Sequence, residues 1–234
     1  MRSWSGAEAK QYRMVAARLN YMAQDDAWIQ YPAKELCRSM ARPTRAGFQR
    51  AKKLVRFLKG VGGTKLVYSW QSEKESKEVT IFVDSDWAGC VDTRRSTSGG
   101  VMKVGKHVVR TWSSTQPTVS TSSGEAELIA MYDGATRGCG VKTILNELGL
   151  TANVQMARVC TDSSVAKSFS ATRGLGKMRH IDVKLLWLQE QVRSGRIAIE
   201  KIRGETNVAD VLTKPQHYKK LRELTKWHGI VPRR

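Results

Sequence analysis

The feature that most constrains the fold is a run of strand-forming residues that ends in a carboxylate, Val79–Asp84. Its β-branched and aromatic side chains, uninterrupted by Pro or Gly, predict a buried strand. An unpaired carboxylate at the end of such a strand would cost several kcal/mol to bury. Asp84 therefore requires a partner, which can be a basic side chain, a helix N-terminus or a metal ion.

The chain is strongly basic, with 40 Lys and Arg against 21 Asp and Glu among 234 residues and a formal net charge of +19. Solubility alone does not require so large an excess. A polyanionic partner explains it, and nucleic acid is the commonest such partner. A basic surface that is merely solvated is the alternative.

The four cysteines are scattered along the sequence and predict neither a disulfide framework nor a zinc site. We find no apolar run of about 18 residues and no signal-peptide pattern. We therefore expect a soluble intracellular protein, in the cytoplasm or the nucleus and not secreted.

Three segments differ in pattern. Residues 1–75 show helical periodicity and little strand signal, and a polar stretch near their end predicts a linker. Residues 76–215 alternate strands with helices and predict an α/β domain, whereas residues 216–234 form a basic tail that is expected to be helical. In the first segment, Lys52 and Arg56 lie on the cationic face of an amphipathic helix, which suits either a phosphate backbone or solvent.

Four acidic residues stand where predicted elements begin or end: Asp84, Glu127, Asp162 and Asp210. Taken singly, each is more often a cap or turn residue. In an α/β sheet, however, the ends of neighbouring strands meet at one edge. Carboxylates converging there would repel one another unless divalent cations lay among them. Hard oxygen ligands of this kind suit Mg²⁺ or Mn²⁺.

The helix that carries Glu127 is predicted to begin at a capping box, Ser122–Glu125, and to end near Leu148. Gly134 and Gly138 share a face with Glu127. Small residues on that face would let the helix approach a sheet closely, so Glu127 is expected to point towards the sheet.

Several motifs occur together, in a fixed order, between residues 78 and 215. They are Asp84-Ser85-Asp86-Trp87-Ala88-Gly89, Arg95-Ser96-Thr97-Ser98-Gly99, Trp112-Ser113-Ser114, Gln116-Pro117-Thr118-Val119, Ser122-Ser123-Gly124-Glu125-Ala126-Glu127, His180-Ile181-Asp182 and Ala209-Asp210-Val211-Leu212-Thr213-Lys214-Pro215. With these motifs the chain resembles the ribonuclease H domain of copia-type LTR retrotransposon Pol polyproteins. Residues 1–75 are similar to the end of the reverse transcriptase and the connection region of those polyproteins.

The resemblance implies a ribonuclease H-like fold, a five-stranded mixed sheet flanked by helices. It also implies an endonuclease that cleaves the RNA strand of RNA–DNA hybrids with two Mg²⁺ ions, for which Mn²⁺ can substitute. Asp84 would contact both ions, Glu127 and Asp162 would complete one site, and Asp210 would complete the other. The implied partners are the hybrid and the reverse transcriptase domain of the same polyprotein, and a retroelement particle becomes a further possible location.

Basic residues in loops beside the predicted metal edge are candidates for phosphate contacts, although solvated loops are the alternative: Arg94, Arg95, Lys177 and Arg179. Cellular relatives often carry a histidine shortly before the last acid, but residues 203–206 here contain none. His180 and Glu205 are therefore the candidates for an accessory role at the leaving group.

Two residues depart from the family pattern around Glu127, because Gly124 replaces the usual Thr and Leu128 replaces the usual aromatic residue. The polymerase motif Tyr-x-Asp-Asp is absent from the sequence, so we do not expect DNA synthesis. A retroelement-derived module that binds nucleic acid without cleaving it is the main alternative. An integrase-like nuclease ranks last, since it would have a different arrangement of acids.

Overall fold

The computed structural model describes residues 6–62, 64–149, 154, 156–174, 185–226 and 229–232. By their contacts, residues 68–214 form one unit, and residues 1–67 together with 215–234 form another. The predicted domain limits, 1–75, 76–215 and 216–234, stay predictions.

The described elements, in chain order, are α1 (Gly6–Met22), α2 (Ala27–Arg38), α3 (Arg45–Val61), β1 (Thr64–Leu66), α4 (Glu73–Ser76), β2 (Val79–Asp86), β3 (Thr97–Val104), β4 (His107–Thr115), α5 (Ser123–Glu147), β5 (Ala157–Thr161), α6 (Ser164–Ala171), α7 (Leu186–Arg193), β6 (Ile197–Lys201), two 3₁₀ turns (Gly204–Thr206 and Val208–Leu212), α8 (Tyr218–Lys226) and β7 (Ile230–Pro232). Among the described residues, no helix is both long enough and apolar enough to cross a membrane.

The larger unit is built on a five-stranded sheet in the order β4-β3-β2-β5-β6. β2 lies at its centre, antiparallel to β3 and parallel to β5. Residues on β2 alternate towards the core, and Val79, Ile81 and Val83 are buried, as expected for a strand packed on one face. The predicted mixed sheet flanked by helices is confirmed, and β2 extends two residues beyond Asp84.

Helix α5 packs closely on the sheet because it carries glycines where it crosses β2. Its N-cap is Ser122, whose hydroxyl accepts a hydrogen bond from the Glu125 amide at 3.2 Å. A methyl group added at Gly134 would lie 2.4 Å from the Val83 Cγ1, and one added at Gly138 would lie 2.6 Å from the Ile81 Cδ1. The small face predicted from the sequence therefore determines the distance between α5 and the sheet.

The smaller unit contains α1, α2, α3 and α8 with a two-stranded sheet of β1 and β7. The buried Tyr12 hydroxyl donates a hydrogen bond to the Leu36 carbonyl at 2.7 Å, which joins α1 to α2. Phe57 on α3 packs edge-on against Tyr218 on α8, with ring centroids 6.3 Å apart. The basic tail is thus helical in part, but it also supplies the strand β7, which pairs antiparallel with β1.

We expect Gly134→Ala to lower the free energy of unfolding by about 1–3 kcal/mol, because the new methyl group meets the stiff side chain of Val83. Gly140 is the matched control: it lies on the same helix, and a methyl group there has nothing within 4 Å. Gly140→Ala should leave stability unchanged or raise it by up to about 1 kcal/mol. Urea unfolding followed by circular dichroism measures both, and equal effects would contradict the packing described here.

Candidate active site

The sheet topology brings three of the predicted acids to one edge. Asp84 lies near the end of β2, and Asp162 directly follows the last residue of β5. Since β2 and β5 are parallel neighbours, their carboxyl ends meet. Glu127 lies in the first turns of α5, which packs over these strands.

The carboxylates of Asp84, Glu127 and Asp162 each offer an oxygen within 4.8 Å of the others. Asp210, the fourth predicted acid, is not within that group of three. It lies in the 3₁₀ turn Val208–Leu212 rather than at the start of an α-helix. Lys214 links it to the group, because its Nζ lies 2.8 Å from the Asp210 Oδ1 and 3.8 Å from the Asp84 Oδ2.

Burial dominates the electrostatics of this cluster. Asp84 is only 2% exposed, and burial raises its pKa to about 7 even though Lys214 and Thr213 favour the charged form. Burial, with a further contribution from the charge of Asp84, raises the pKa of Glu127 to about 8. A cation bound beside these two carboxyls would stabilise their ionised form.

The immediate surroundings fix the carboxylates but leave oxygen atoms available. The Thr213 hydroxyl donates a hydrogen bond to Asp84, and the Ser85 amide donates to the Glu127 Oε1 at 3.3 Å. The Glu127 Oε2 is buried and has no hydrogen-bond partner among the described residues. A buried carboxylate oxygen without a partner, beside two further carboxylates, fits a hard divalent cation such as Mg²⁺ or Mn²⁺.

The segment after β6 is held against β2 by Asn207. Its side-chain amide donates to the Val83 carbonyl at 2.9 Å, while its side-chain oxygen accepts from the Ala209 amide at 3.1 Å. The sequence analysis did not predict Asn207, Thr213 or Lys214 as site residues. The spacing of four residues between Asp210 and Lys214 was the available signal.

The chain has extended similarity to Pol polyproteins of plant transposons. It is 26% identical to the retrovirus-related Pol polyprotein from transposon RE1 of Arabidopsis thaliana over 205 residues, which is 88% of this chain and 14% of that protein. It is 29% identical to the corresponding polyprotein from transposon TNT 1-94 of Nicotiana tabacum over 177 residues, 76% of this chain and 13% of that protein. The chain is thus a homologue of transposon Pol polyproteins, consistent with a ribonuclease H domain of the copia type.

The chain is also similar to one other protein over about half of its length and to solved structures at low sequence identity. The secreted RxLR effector protein 161 of Plasmopara viticola is 32% identical over 129 residues, 55% of this chain and 83% of that protein. Among solved structures, a ribonuclease H1 isolated from compost by a metagenomic approach is similar with a TM-score of 0.45 and 17% identity, covering 58% of this chain and 93% of that one. No protein-family model matches the chain. The chain spans only about a seventh of the Pol polyproteins it matches, 13–14% of their length.

The remaining predicted residues lie in several places. Arg94 and Arg95 are exposed on the loop between β2 and β3, and Glu205 is exposed on the first 3₁₀ turn. Lys52 and Arg56 are exposed on α3 in the smaller unit. Three predicted residues lie outside the described part of the chain: Lys177, Arg179 and His180.

The loop that follows β2 presents an aromatic ring to solvent. Trp87 is 54% exposed, yet its indole N–H donates to the Ser120 carbonyl at 3.1 Å. The next residue, Ala88, adopts a positive φ of 53° and its amide donates to the Ser96 hydroxyl at 3.0 Å. A non-glycine residue in this conformation is held by its surroundings. Trp87 is therefore a fixed, exposed aromatic surface three residues after Asp84.

The raised pKa values of Asp84 and Glu127 predict a pH dependence of stability without metal. A carboxyl whose pKa is higher in the folded state contributes stability that is fully present below its unfolded pKa and is lost as pH rises through the folded value. We therefore expect the metal-free protein to lose on the order of a few kcal/mol between about pH 4 and pH 8.

Glu127→Gln should remove a large part of that loss. Thermal unfolding in the presence of a chelator, at pH 5 and at pH 9, measures it in the wild type and the variant. Glu147→Gln, at the exposed end of the same helix, should behave as the wild type does. A pH dependence that is the same in both variants would contradict the burial of Glu127.

Proposed function

We propose that the α/β unit is a ribonuclease H-type endonuclease that cleaves the RNA strand of RNA–DNA hybrids with two divalent ions, Mg²⁺ or Mn²⁺. The observation that carries the proposal is the meeting of three carboxylates from β2, α5 and β5, each with an oxygen within 4.8 Å of the others. Similarity to Pol polyproteins supports a nuclease as the use of such a cluster. The net charge of +19 supports a nucleic-acid substrate.

The four acids would divide the metal ligands. Asp84 would contact both ions, Glu127 and Asp162 would complete one site, and Asp210 would complete the other. Bound divalent ions would supply an activated water and charge stabilisation at the leaving oxygen of the scissile phosphodiester. The chain's own groups orient these ligands, since Thr213 holds the Asp84 carboxylate and the Ser85 amide holds that of Glu127.

The basic residues would bind the phosphate backbone of the hybrid. Arg94 and Arg95 are exposed on the loop that follows β2, and each can neutralise a phosphate and release a counterion. The same role is proposed for Lys177, Arg179, Lys52 and Arg56, and an accessory role in proton transfer for His180 or Glu205. The reverse transcriptase domain of the polyprotein is the proposed protein partner, and an intracellular site of action is proposed.

The two departures from the family pattern concern packing. Leu128 is fully buried in the core, and a methyl group at Gly124 would lie 2.8 Å from the Val165 Cγ1. A larger residue at either position would alter how α5 meets its neighbours. Neither residue belongs to the carboxylate cluster, so neither favours the alternative of a module that binds without cleaving.

We expect Asp84→Asn to lower Mg²⁺-dependent cleavage of a labelled RNA–DNA hybrid by at least about 10²-fold, since it removes the ligand common to both ions. Binding of the hybrid should be unchanged or stronger, because a negative charge is lost. Asp92→Asn, on the exposed loop after β2, is the control and should cleave normally. Undiminished cleavage by Asp84→Asn would reject the proposed site, and a wild type that binds hybrids but cuts with neither Mg²⁺ nor Mn²⁺ would favour the binding module.

Trp87 should contribute to substrate binding. A rigid, exposed indole loses little conformational freedom when it packs against a sugar, and aromatic contacts of this kind are each worth more than about 1 kcal/mol. In the Asp84→Asn background, Trp87→Ala should raise the dissociation constant for the hybrid about five- to tenfold. Trp70→Ala, which removes an 85% exposed tryptophan, should not change it, and fluorescence anisotropy with a labelled hybrid compares the two. Equal effects of the two substitutions would show that Trp87 has no special contact.

A further inference from the structure

Lys214 occupies a specific place in the acidic cluster. Its ammonium lies 2.8 Å from an oxygen of Asp210 and 3.8 Å from an oxygen of Asp84. Both carboxylates are almost completely buried, at 4% and 2% exposure. The lysine side chain itself is 46% exposed, so it reaches the buried acids from the solvent side.

The four predicted ligands form two unequal groups. Asp84, Glu127 and Asp162 approach one another to within 4.8 Å, whereas Asp210 is not part of that group. Asp210 is paired instead with Lys214, four residues later in the chain. An ammonium between two carboxylates supplies the positive charge that a metal ion would otherwise supply.

We propose that Lys214 stands in for the second divalent ion between Asp84 and Asp210, so that the protein without nucleic acid binds one divalent ion tightly. This inference rests on the proposed function, because it concerns the second of its two ions. A half-exposed lysine can leave the carboxylates when another anion is offered, and the phosphates of a bound hybrid are such anions. Lys214 thereby couples occupancy of the second metal position to the arrival of substrate.

The test is the number of Mn²⁺ ions bound by the full chain without nucleic acid, measured from the electron paramagnetic resonance signal of free Mn²⁺. The wild type should bind one ion tightly. Lys214→Gln should bind a second ion at least about tenfold more tightly than the wild type does, a change of about 1.4 kcal/mol. Lys214→Arg keeps the charge and should behave as the wild type does.

Lys77 provides a matched control. It too is partly exposed and pairs with a carboxylate four residues away, with its Nζ 3.0 Å from Glu73, but it precedes β2 and so lies at the end of the strand remote from Asp84. Lys77→Gln should therefore leave the Mn²⁺ count and both affinities unchanged. Circular dichroism establishes that each variant is folded.

Three results would overturn the proposal: two ions of similar affinity on the wild type, a second affinity that Lys214→Gln does not change, or no tight ion at all. The wild-type count decides the first and third without any substitution. Cleavage of a labelled RNA–DNA hybrid by the wild type is measured in a separate assay, which tests the proposed function. If the wild type binds one ion and Lys214→Gln binds two, but the wild type does not cleave a hybrid, the nuclease function alone is refuted. If the wild type cleaves a hybrid and binds two ions without nucleic acid, the role of Lys214 alone is refuted.

Discussion

The burial of the Asp84 carboxylate on the central strand is the constraint on which the rest of the larger unit depends. A charge in that position must have partners, and the chain supplies two of them, Thr213 and Lys214. Thr213 follows Asp84 by 129 residues in the sequence. The segment that carries both residues has to return to β2 and stay there. Asn207 holds it through the Val83 carbonyl, and Gly99 on β3 leaves room for it, since a methyl group at Gly99 would lie 2.7 Å from Thr213.

The net charge of the chain and the charge of its carboxylate cluster have opposite signs, and they act on a nucleic acid at different distances. The net charge of +19 acts at long range and favours the approach of a polyanion. At the sheet edge, the clustered carboxylates would repel the same phosphates at short range. Cations among the carboxylates reconcile the two effects, and Lys214 shows that the chain carries one such cation itself.

The features that could be predicted from the sequence depend on local patterns. The strand β2, the helix α5 with its cap at Ser122 and the small face at Gly134 follow from residue type and periodicity. The resemblance supplied the mixed sheet of five strands, and the structure supplied their order. The meeting of Asp84, Glu127 and Asp162 then follows from the parallel pairing of β2 with β5.

The features that could not be predicted depend on contacts between distant residues or on very short elements. The pairing of Asp84 with Thr213 and Lys214 has no local signature. The strands β1 and β7 have three residues each, too few to establish an alternating pattern. The orientation of the Trp87 ring is held by its hydrogen bond to Ser120, a contact across 33 residues that strand propensity does not indicate.

The pairing of β1 with β7 has a consequence for the order of events during synthesis. The hydrogen-bonded ladder of residues 64–66 can form only after residues 230–232 have been synthesised. The ring contact of Phe57 can likewise form only after Tyr218 has been synthesised. The whole α/β unit, residues 68–214, emerges from the ribosome in between. The α/β unit can therefore fold while the smaller unit is still incomplete, because α3 and β1 acquire their partners α8 and β7 only after residues 218–232 have been translated.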